Sequence, residues 1–205
     1  MVRPREHTHE EFIDAAIRIV DAEGLDALTA RRLGKEVGVS YTAVYTYFAT
    51  REDLMGALVD RLSEEVIAGI VPRGESVRDQ LLAIGSSSRR ALSRHPHLAA
   101  VFATATGDAR QGNDATLLVV GLLEQAGLTG RDLVTAYRII ESYVFGATVF
   151  DLGAAPQHLS IRRRRYSFTG HPDFKAVAKS DKAIGEHNDE AFERGLELIL
   201  TGLGI

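Results

Sequence analysis

Apolar residues spaced three and four positions apart are the feature that most constrains how this 205-residue chain can fold. Near its start, Phe12, Ala15, Ala16, Ile19 and Val20 fall at i, i+3, i+4, i+7 and i+8, on one face of an α-helix. No stretch of the chain shows the sustained apolar–polar alternation, bounded by turn residues, that indicates a strand. We therefore predict an all-α fold with no sheet.

Residues that begin and end helices divide the first 72 residues into four predicted helices. Thr29, Ser40 and Thr50 each precede a helical segment and can accept a hydrogen bond from a free backbone N–H group. Gly24 and Gly38 follow such segments, where glycine adopts a positive φ at little cost. The first two helices are predicted over residues 8–23 and 29–37, and the others begin at Ser40 and Thr50. The fourth carries an apolar seam that Pro72 ends: Leu54, Leu58, Leu62, Val66 and Ile70.

The chain beyond residue 72 stays helical and becomes more apolar. Helices are predicted over residues 77–94, 98–103, 113–125, 131–152 and 189–202. Residues 153–188 are the least regular segment. We expect one short helix near residues 172–179 with mobile flanks, because a structureless loop of that length is uncommon in a compact domain.

Composition excludes several classes of protein. The chain has no cysteine, so disulfides and thiolate metal sites are excluded and a reducing compartment is compatible. Its first residues, MVRPREHTHEE, are too polar for a signal peptide. No apolar run approaches the ~20 residues that cross a bilayer. We expect a cytoplasmic protein without a membrane partner.

The charge balance gives no simple signature of nucleic-acid binding. The formal net charge is −4, and the first 55 residues hold seven Arg or Lys against ten Asp or Glu. A basic domain is one expected footprint of a nucleic-acid-binding protein. Any contact with DNA must therefore depend on where individual charges lie.

The predicted third helix lies within VGVSYTAVYTYF, residues 37–48, which holds three tyrosines and two threonines but no charge. Val44 and Phe48 are four positions apart and should face the interior. The positions left substantially outward are Tyr41, Thr42, Tyr45 and Thr46. Such a hydroxyl-bearing helix is suited to a DNA groove, where hydroxyl groups can meet base edges and phosphates.

Residues 10–62 resemble the helix-turn-helix domain of the tetracycline-repressor (TetR) family. The resemblance rests on an apolar first helix followed by LTARRLGKEVGVS, VYTYF and the capped start TREDL. It implies a dimeric transcriptional repressor that a small ligand releases from a double-stranded DNA operator. It also implies a DNA-binding domain over residues 1–55 and a larger helical ligand-binding and dimerisation domain over residues 56–205. One position departs from the pattern, since Tyr47 stands where the family often has histidine.

The resemblance makes the third helix a recognition helix, which enters the major groove of B-DNA and contacts base edges. The residues expected to reach bases are Arg31, Tyr41, Thr42 and Thr46. Those that match phosphate-contacting positions are Thr29, Tyr45, Tyr47 and Arg51. Because the helix itself is uncharged, positive charge would come from flanking residues, namely Arg31, Arg32, Lys35 and Arg51. For Arg32 and Lys35 a merely solvated face is the alternative, and Arg3 and Arg5 could reach an adjacent minor groove.

Two later helices are too apolar to be buried by one small domain. The segment 131–152 is apolar on more than one side, and the last helix repeats the pattern with Leu196, Leu198, Ile199, Leu200 and Leu203. A helix that is apolar all round is either central to a core or shared with a partner. We expect a homodimer with a four-helix interface, and burial in one core is the alternative.

An apolar pocket for an unknown small-molecule effector is expected between the middle helices. The polar side chains considered as effector contacts are His95, His97, Tyr137, Arg138 and Glu141, each with a structural role as the alternative. A DNA-binding regulator without small-molecule control is the second functional hypothesis. An all-helical enzyme is a third, but we find no convergent acid–base set for it.

Two charged clusters carry no functional prediction. His7 and His9, beside Glu10 and Glu11, lack a further nearby ligand and are interpreted as a solvated helix start and not as a metal site. The run Arg162–Arg165 could touch DNA or acidic lipid, but we interpret it as part of a solvated, mobile loop. No motif for a cofactor appears.

Overall fold

The computed structural model describes residues 7–98, 112–152 and 158–205, and over these ranges the secondary structure is helical with no strand. The first elements of the chain are α1 (His9–Glu23), a 3-10 turn (Leu25–Ala27), α2 (Ala30–Val37), α3 (Tyr41–Tyr47) and α4 (Arg51–Ala68). The later helices are α5 (Val77–Arg94), α6 (Gly112–Gln125), α7 (Gly130–Leu152), α8 (His158–Phe168), α9 (Pro172–Val177) and α10 (Asp181–Gly202). The predicted all-α class is confirmed. No described helix is long and apolar enough to cross a bilayer.

A side chain caps the start of each of the first four helices, and three of these caps were predicted. Each oxygen accepts a hydrogen bond from a backbone N–H that has no partner within its helix. Thr8 accepts from Glu11, Thr29 from Arg32, and Ser40 from Ala43. At the start of α4, Thr50 Oγ1 accepts from the Asp53 N–H at 3.0 Å while Asp53 Oδ2 accepts from the Thr50 N–H at 2.8 Å. This reciprocal pair is an aspartate version of the capping box.

The chain divides into two compact units. Unit 1 comprises Met1–Ala68 and Arg94–Thr116, and unit 2 comprises Gly69–Ser93 and Leu117–Ile205. All of α4 thus groups with α1–α3. The predicted domain boundary between residues 55 and 56 separates DNA binding from ligand binding and dimerisation, and it stays a prediction.

Unit 1 is built on the apolar face that the sequence predicts. Phe12, Ile19 and Leu33 are at most 1% exposed, and Val44 and Phe48 are 3% exposed. Burying a side chain of this size contributes about 1.5–3 kcal/mol. The inward positions of Val44 and Phe48 fix the opposite face of α3 as the outward one.

The core of unit 2 joins α5, α6, α7 and α10. Its buried apolar side chains are Leu81, Leu82, Ile84, Leu122, Leu123, Ala136, Ile140, Val144, Phe192, Leu196 and Leu200. Along α7 the buried residues are spaced by four, and the same spacing recurs along α10. Each of these long helices therefore packs one stripe inward and leaves other faces outside the core.

Three sequence predictions are wrong in detail. The run Arg162–Arg165 lies within α8 and not in a mobile loop. The final helix begins at Asp181, where Ser180 caps it, and not at residue 189. Helix α4 ends at Ala68, so Ile70 lies beyond its seam. Beyond Leu98, the short helix predicted over residues 98–103 lies outside the described residues.

Helix α8 was missed because its inward contact is polar. The Arg162 side chain is only 14% exposed and its Nη1 donates to Asp151 Oδ1 at 2.6 Å and to Asn188 Oδ1 at 3.0 Å. An apolar periodicity test cannot detect a helix that packs through an arginine.

Candidate nucleic-acid interface

Two glycines set the approach of α3 to α2. Gly38 has φ 85°, and its N–H and that of Val39 both donate to the Gly34 carbonyl, at 2.9 and 2.8 Å. A Cβ at Gly34 would lie 3.0 Å from the Val39 carbonyl oxygen and 3.3 Å from the Ser40 carbonyl carbon. Gly34 therefore permits close backbone contact, and Gly38 permits a turn that other residues enter only with strain.

The outward face of α3 carries hydroxyl groups, as predicted. Tyr41 and Tyr45 are 53% and 55% exposed. Thr42 and Thr46 are exposed as well, and the Thr42 hydroxyl lies 2.8 Å from that of Ser40. Four side chains that can each donate and accept a hydrogen bond thus stand on one uncharged surface. That surface suits the mixed donors and acceptors of base edges in a major groove.

Thr29 and Arg51 are both exposed and lie near each other. Arg51 Nη1 donates to the Leu28 carbonyl at 2.8 Å, and Leu28 directly precedes Thr29. The Thr29 oxygen accepts from the Arg32 N–H at 3.1 Å, so its proton remains able to donate elsewhere. A hydroxyl and a guanidinium held together in this way match the chemistry of a phosphate contact.

Tyr47 differs from the other tyrosines of α3 because it is half-buried. Its hydroxyl donates to the His7 carbonyl at 2.9 Å, and its ring lies 4.2 Å from that of Phe12, centroid to centroid. These contacts tie the end of α3 to the start of α1. They compete with the predicted phosphate contact, since the phenol proton is already donated.

The positive charges around α3 are not equivalent. Arg31 and Lys35 are exposed and form no ion pair with a described residue. Arg32, in contrast, pairs with Glu23 and Glu36, each at 2.7 Å. Its hydrogen bonds to Glu23 and then Glu36 raise the pKa of the guanidinium, and the bond from Arg32 lowers the pKa of Glu36. Arg32 therefore links α2 to α1, and the available positive charge comes from Arg31, Lys35 and Arg51.

The residues considered as effector contacts fall into two groups. In unit 1, His95 Nδ1 lies 2.7 Å from Asp21 Oδ2 of α1 and its Nε2 lies 3.4 Å from Glu65 Oε1 of α4. His97 is half-buried in the same unit. Sequence reasoning missed Asp21 and Glu65, since only the fold brings such distant positions together.

The second group lies on α7 in unit 2. The Tyr137 hydroxyl donates to Glu141 Oε1 at 3.2 Å, and Arg138 Nη1 pairs with Glu141 Oε2 at 2.6 Å. Tyr137 also packs against the apolar core, whereas Arg138 is exposed. The structure therefore brings these three residues together, in a different unit from the His95 group.

No group of three metal-binding side chains occurs within residues 7–98, 112–152 and 158–205. His7 Nδ1 lies 2.9 Å from Glu11 Oε2, and the His9 ring packs 4.4 Å from that of Phe48. Both histidines thus have structural contacts at the start of α1.

Comparison with known proteins identifies the family over most of the chain. Residues 12–58 match the tetR family of bacterial regulatory proteins, and residues 72–204 match the tetracyclin repressor-like C-terminal domain. An HTH-type transcriptional regulator from Saccharopolyspora erythraea is 25% identical over 201 residues, which cover 96% of this chain and 84% of that protein. The class A tetracycline repressor from transposon 1721 in Escherichia coli is 29% identical over 196 residues, covering 93% and 88%.

Solved structures share the fold across nearly the whole chain. SCO7222, a TetR from Streptomyces coelicolor, superposes with a TM-score of 0.76 at 22% identity, covering 97% of this chain and 98% of that one. ActR from Streptomyces coelicolor, in complex with actinorhodin, gives 0.71 at 24% identity and 97% coverage of both chains. BioQ with its double-stranded DNA operator gives 0.62 at 23% identity, covering 97% and 98%. Because the C-terminal match alone spans more than half of the sequence, this chain belongs to the TetR family of DNA-binding, helix-turn-helix transcriptional regulators, which are not enzymes.

Proposed function

We propose that this TetR-family protein is a homodimeric repressor that binds a palindromic operator and is released by a small apolar molecule. The observation that carries the proposal is the outward face of α3, where exposed phenols and threonine hydroxyls stand opposite the buried Val44 and Phe48. Hydroxyl groups exposed on a rigid helix can discriminate base edges, whereas a run of cations would bind any duplex.

The proposed contacts separate into base-reading and phosphate-holding side chains. Base edges are assigned to Arg31, Tyr41, Thr42 and Thr46. Phosphates are assigned to Thr29, Tyr45, Tyr47 and Arg51, with Tyr47 giving up its bond to the His7 carbonyl when it does so. Arg31, Lys35 and Arg51 supply the charge that holds the uncharged α3 in the groove. Binding should therefore weaken steeply with added salt, because each neutralised phosphate releases counterions.

Exposed stripes on α7 and α10 support the dimer. On α7, Ile139, Ser142, Gly146 and Val149 are exposed at i, i+3, i+7 and i+10, on a side of the helix away from its buried stripe. On α10 the exposed positions with the same spacing are Ala191, Arg194, Leu198 and Thr201. Two such stripes from each protomer make a four-helix interface, and a two-fold axis suits a palindromic operator with half-sites about 34–36 Å apart.

Effector control is supported by relatives and by one polar group in unit 2. One relative is named a tetracycline repressor, and ActR, a neighbour in fold, was solved in complex with actinorhodin. For this chain we assign effector contact to Tyr137, Arg138 and Glu141 on α7. Tyr137 packs against the apolar core, and its hydroxyl donates a hydrogen bond to Glu141. A regulator of this kind acts on chromosomal DNA and would be cytoplasmic.

The proposal is tested by selecting operator sequences from a random duplex library and then screening small molecules for release. We expect enrichment of a two-fold symmetric site and at least one apolar compound that lowers its affinity. A coupling of about 1–3 kcal/mol, or 5- to 150-fold, is typical of such release. Operator selection without any releasing compound would favour a regulator lacking small-molecule control, and failure to enrich any site would reject the proposed DNA reading.

The dimer has its own test. Val149→Asp inserts a charge into the α7 stripe, while Leu117→Asp makes the same change at an exposed apolar residue of α6. Analytical ultracentrifugation should show dissociation of the first variant at micromolar concentration and a dimer for the second. A wild-type protein that sediments as a monomer at every concentration would exclude the interface.

A further inference from the structure

Helix α8 and the turn after α9 line an open, concave basic surface in unit 2, which we call the α8 pocket. Its volume is about 520 Å³, and its lining is Arg163, Arg164, Ser167, Phe168, Ala178 and Lys179. Sites for small molecules are typically of about 300–1,000 Å³, so this pocket is large enough for an organic ligand. None of the functions assigned above uses these residues.

The charge of the pocket is largely uncompensated. Arg164 and Lys179 form no ion pair with any residue in the described ranges, and Arg163 Nε lies 3.3 Å from Asp181 Oδ1. Residues 158–182 hold seven Arg or Lys but only two Asp or Glu, in a chain whose net charge is −4. Cations concentrated in one concavity of an acidic protein attract an anion and raise its local concentration.

The pocket also has an apolar wall on a fixed scaffold. Tyr166 packs edge-on against Phe174 with ring centroids 5.1 Å apart, which holds α8 against α9. His171 caps α9 by accepting from the Asp173 N–H at 3.3 Å. Phe168, at the end of α8, is 88% exposed beside the arginines. A phenyl ring left in water next to unpaired cations offers a stacking surface for the flat body of an anionic ligand.

We propose that the α8 pocket binds a small organic anion with an apolar, ring-containing body. Arg164 and Lys179 hold the anionic group and Phe168 contacts the ring, while the Ser167 hydroxyl, which donates to the Arg163 carbonyl at 3.0 Å, forms part of the wall. Arginine and lysine form charge-assisted hydrogen bonds with carboxylate, sulfonate or phosphate oxygens. This site shares no residue with the α3 surface or the Tyr137 group, so it does not depend on the proposed operator or effector.

The test uses 8-anilinonaphthalene-1-sulfonate as the anionic probe and N-phenyl-1-naphthylamine as its neutral analogue, both followed by fluorescence titration of the full chain. The pocket variant Arg164→Gln/Lys179→Gln removes both unpaired cations. The control Arg165→Gln/Lys175→Gln removes two exposed cations of α8 and α9 that do not line the pocket. Because all four side chains are exposed, circular dichroism should show that both variants fold like the wild type.

The pocket variant should bind the sulfonate about tenfold more weakly, because two charge-assisted hydrogen bonds are lost. The control should stay within about twofold of the wild type, because neither side chain lines the pocket and both are solvated. Binding of the neutral analogue should not change in either variant, and Phe168→Ala should weaken both probes. Equal losses in both charge variants, or no loss in the pocket variant, would overturn the proposal. A further outcome is that a random DNA duplex displaces the sulfonate and binds the pocket variant more weakly than the wild type. That result would indicate a nucleic-acid surface and would also overturn the proposal.

Discussion

Replacing Asp151 by asparagine should destabilise unit 2 far more than the same replacement at Asp189. Both carboxylates pair with Arg89, at 3.0 Å in each case, but only the Asp151 side chain is buried, with 10% exposed against 74% for Asp189. Asp151 also accepts from Arg162 at 2.6 Å. Asp151→Asn therefore leaves the buried Arg89 with only the exposed Asp189 as a carboxylate partner, and it removes the carboxylate that pairs with Arg162.

The magnitude follows from this difference in burial. Removing one partner of a buried ion pair costs about 3–5 kcal/mol, because the remaining charge is left uncompensated. An exposed pair contributes only about 0–1 kcal/mol. For a chain of this size, about 2–4 °C of melting temperature corresponds to each kcal/mol. Asp151→Asn should lower the melting temperature by roughly 6–20 °C, and Asp189→Asn by at most about 4 °C.

Thermal and urea unfolding, followed by circular dichroism at 222 nm, measure both variants against the wild type. Protein concentration must be equal in all samples, since dimerisation couples stability to concentration. Arg89 is common to both pairs, so the comparison sets a buried carboxylate that also binds Arg162 against an exposed carboxylate that does not. Equal losses from the two substitutions, or a smaller loss at Asp151, would refute the reasoning.

Three further predictions concern other parts of the chain. Gly34→Ala should lower the free energy of unfolding by about 1–3 kcal/mol and weaken operator binding, because the added Cβ meets the Val39 carbonyl oxygen. Gly56→Ala, whose Cβ has open space, should do neither. Urea titration measures stability and fluorescence anisotropy measures operator binding. Burial, and to a smaller extent the nearby Arg162, lower the pKa of His158. As pH falls, the unfolded chain therefore binds a proton at this histidine before the folded chain does, and the stability of the fold should decline below about pH 6.5. His158→Gln should flatten that decline in melting temperature, and an unchanged slope would count against it. Tyr47→Phe should destabilise unit 1 by about 1 kcal/mol through loss of the bond to the His7 carbonyl, and no change in the urea midpoint would contradict this.

Sequence reasoning succeeded where a helix packs through apolar residues and begins at a capping side chain. The inward positions of Val44 and Phe48, and hence the outward hydroxyl face of α3, follow from spacing alone. Sequence reasoning failed at α8, because this helix packs inward through Arg162 and the spacing of apolar residues gives no sign of such a contact. Of the two ion pairs of Arg32, the one with Glu36 could be predicted from the sequence, since Glu36 lies four positions later on the same helix. The pair with Glu23 could not, because Glu23 comes from α1.

Pairs that depend on tertiary structure were beyond prediction. His95 contacts Asp21 and Glu65 only because the segment that begins at Arg94 belongs to the same unit as α1 and α4. Local periodicity carries no information about which distant helices meet, so polar contacts between them must be observed.

The central claim is that the hydroxyl face of α3 distinguishes one DNA sequence from another. Its most direct test is fluorescence anisotropy with the selected operator and an unrelated duplex, comparing the wild type with Thr42→Ala/Thr46→Ala and with a control, Thr129→Ala/Thr169→Ala, that removes exposed threonines elsewhere. We expect the α3 variant to bind the operator about thirtyfold or more weakly, at about 1–3 kcal/mol for each of two lost base contacts, with little change on the unrelated duplex. Unchanged discrimination between the two duplexes, or equal weakening on both, would contradict the claim.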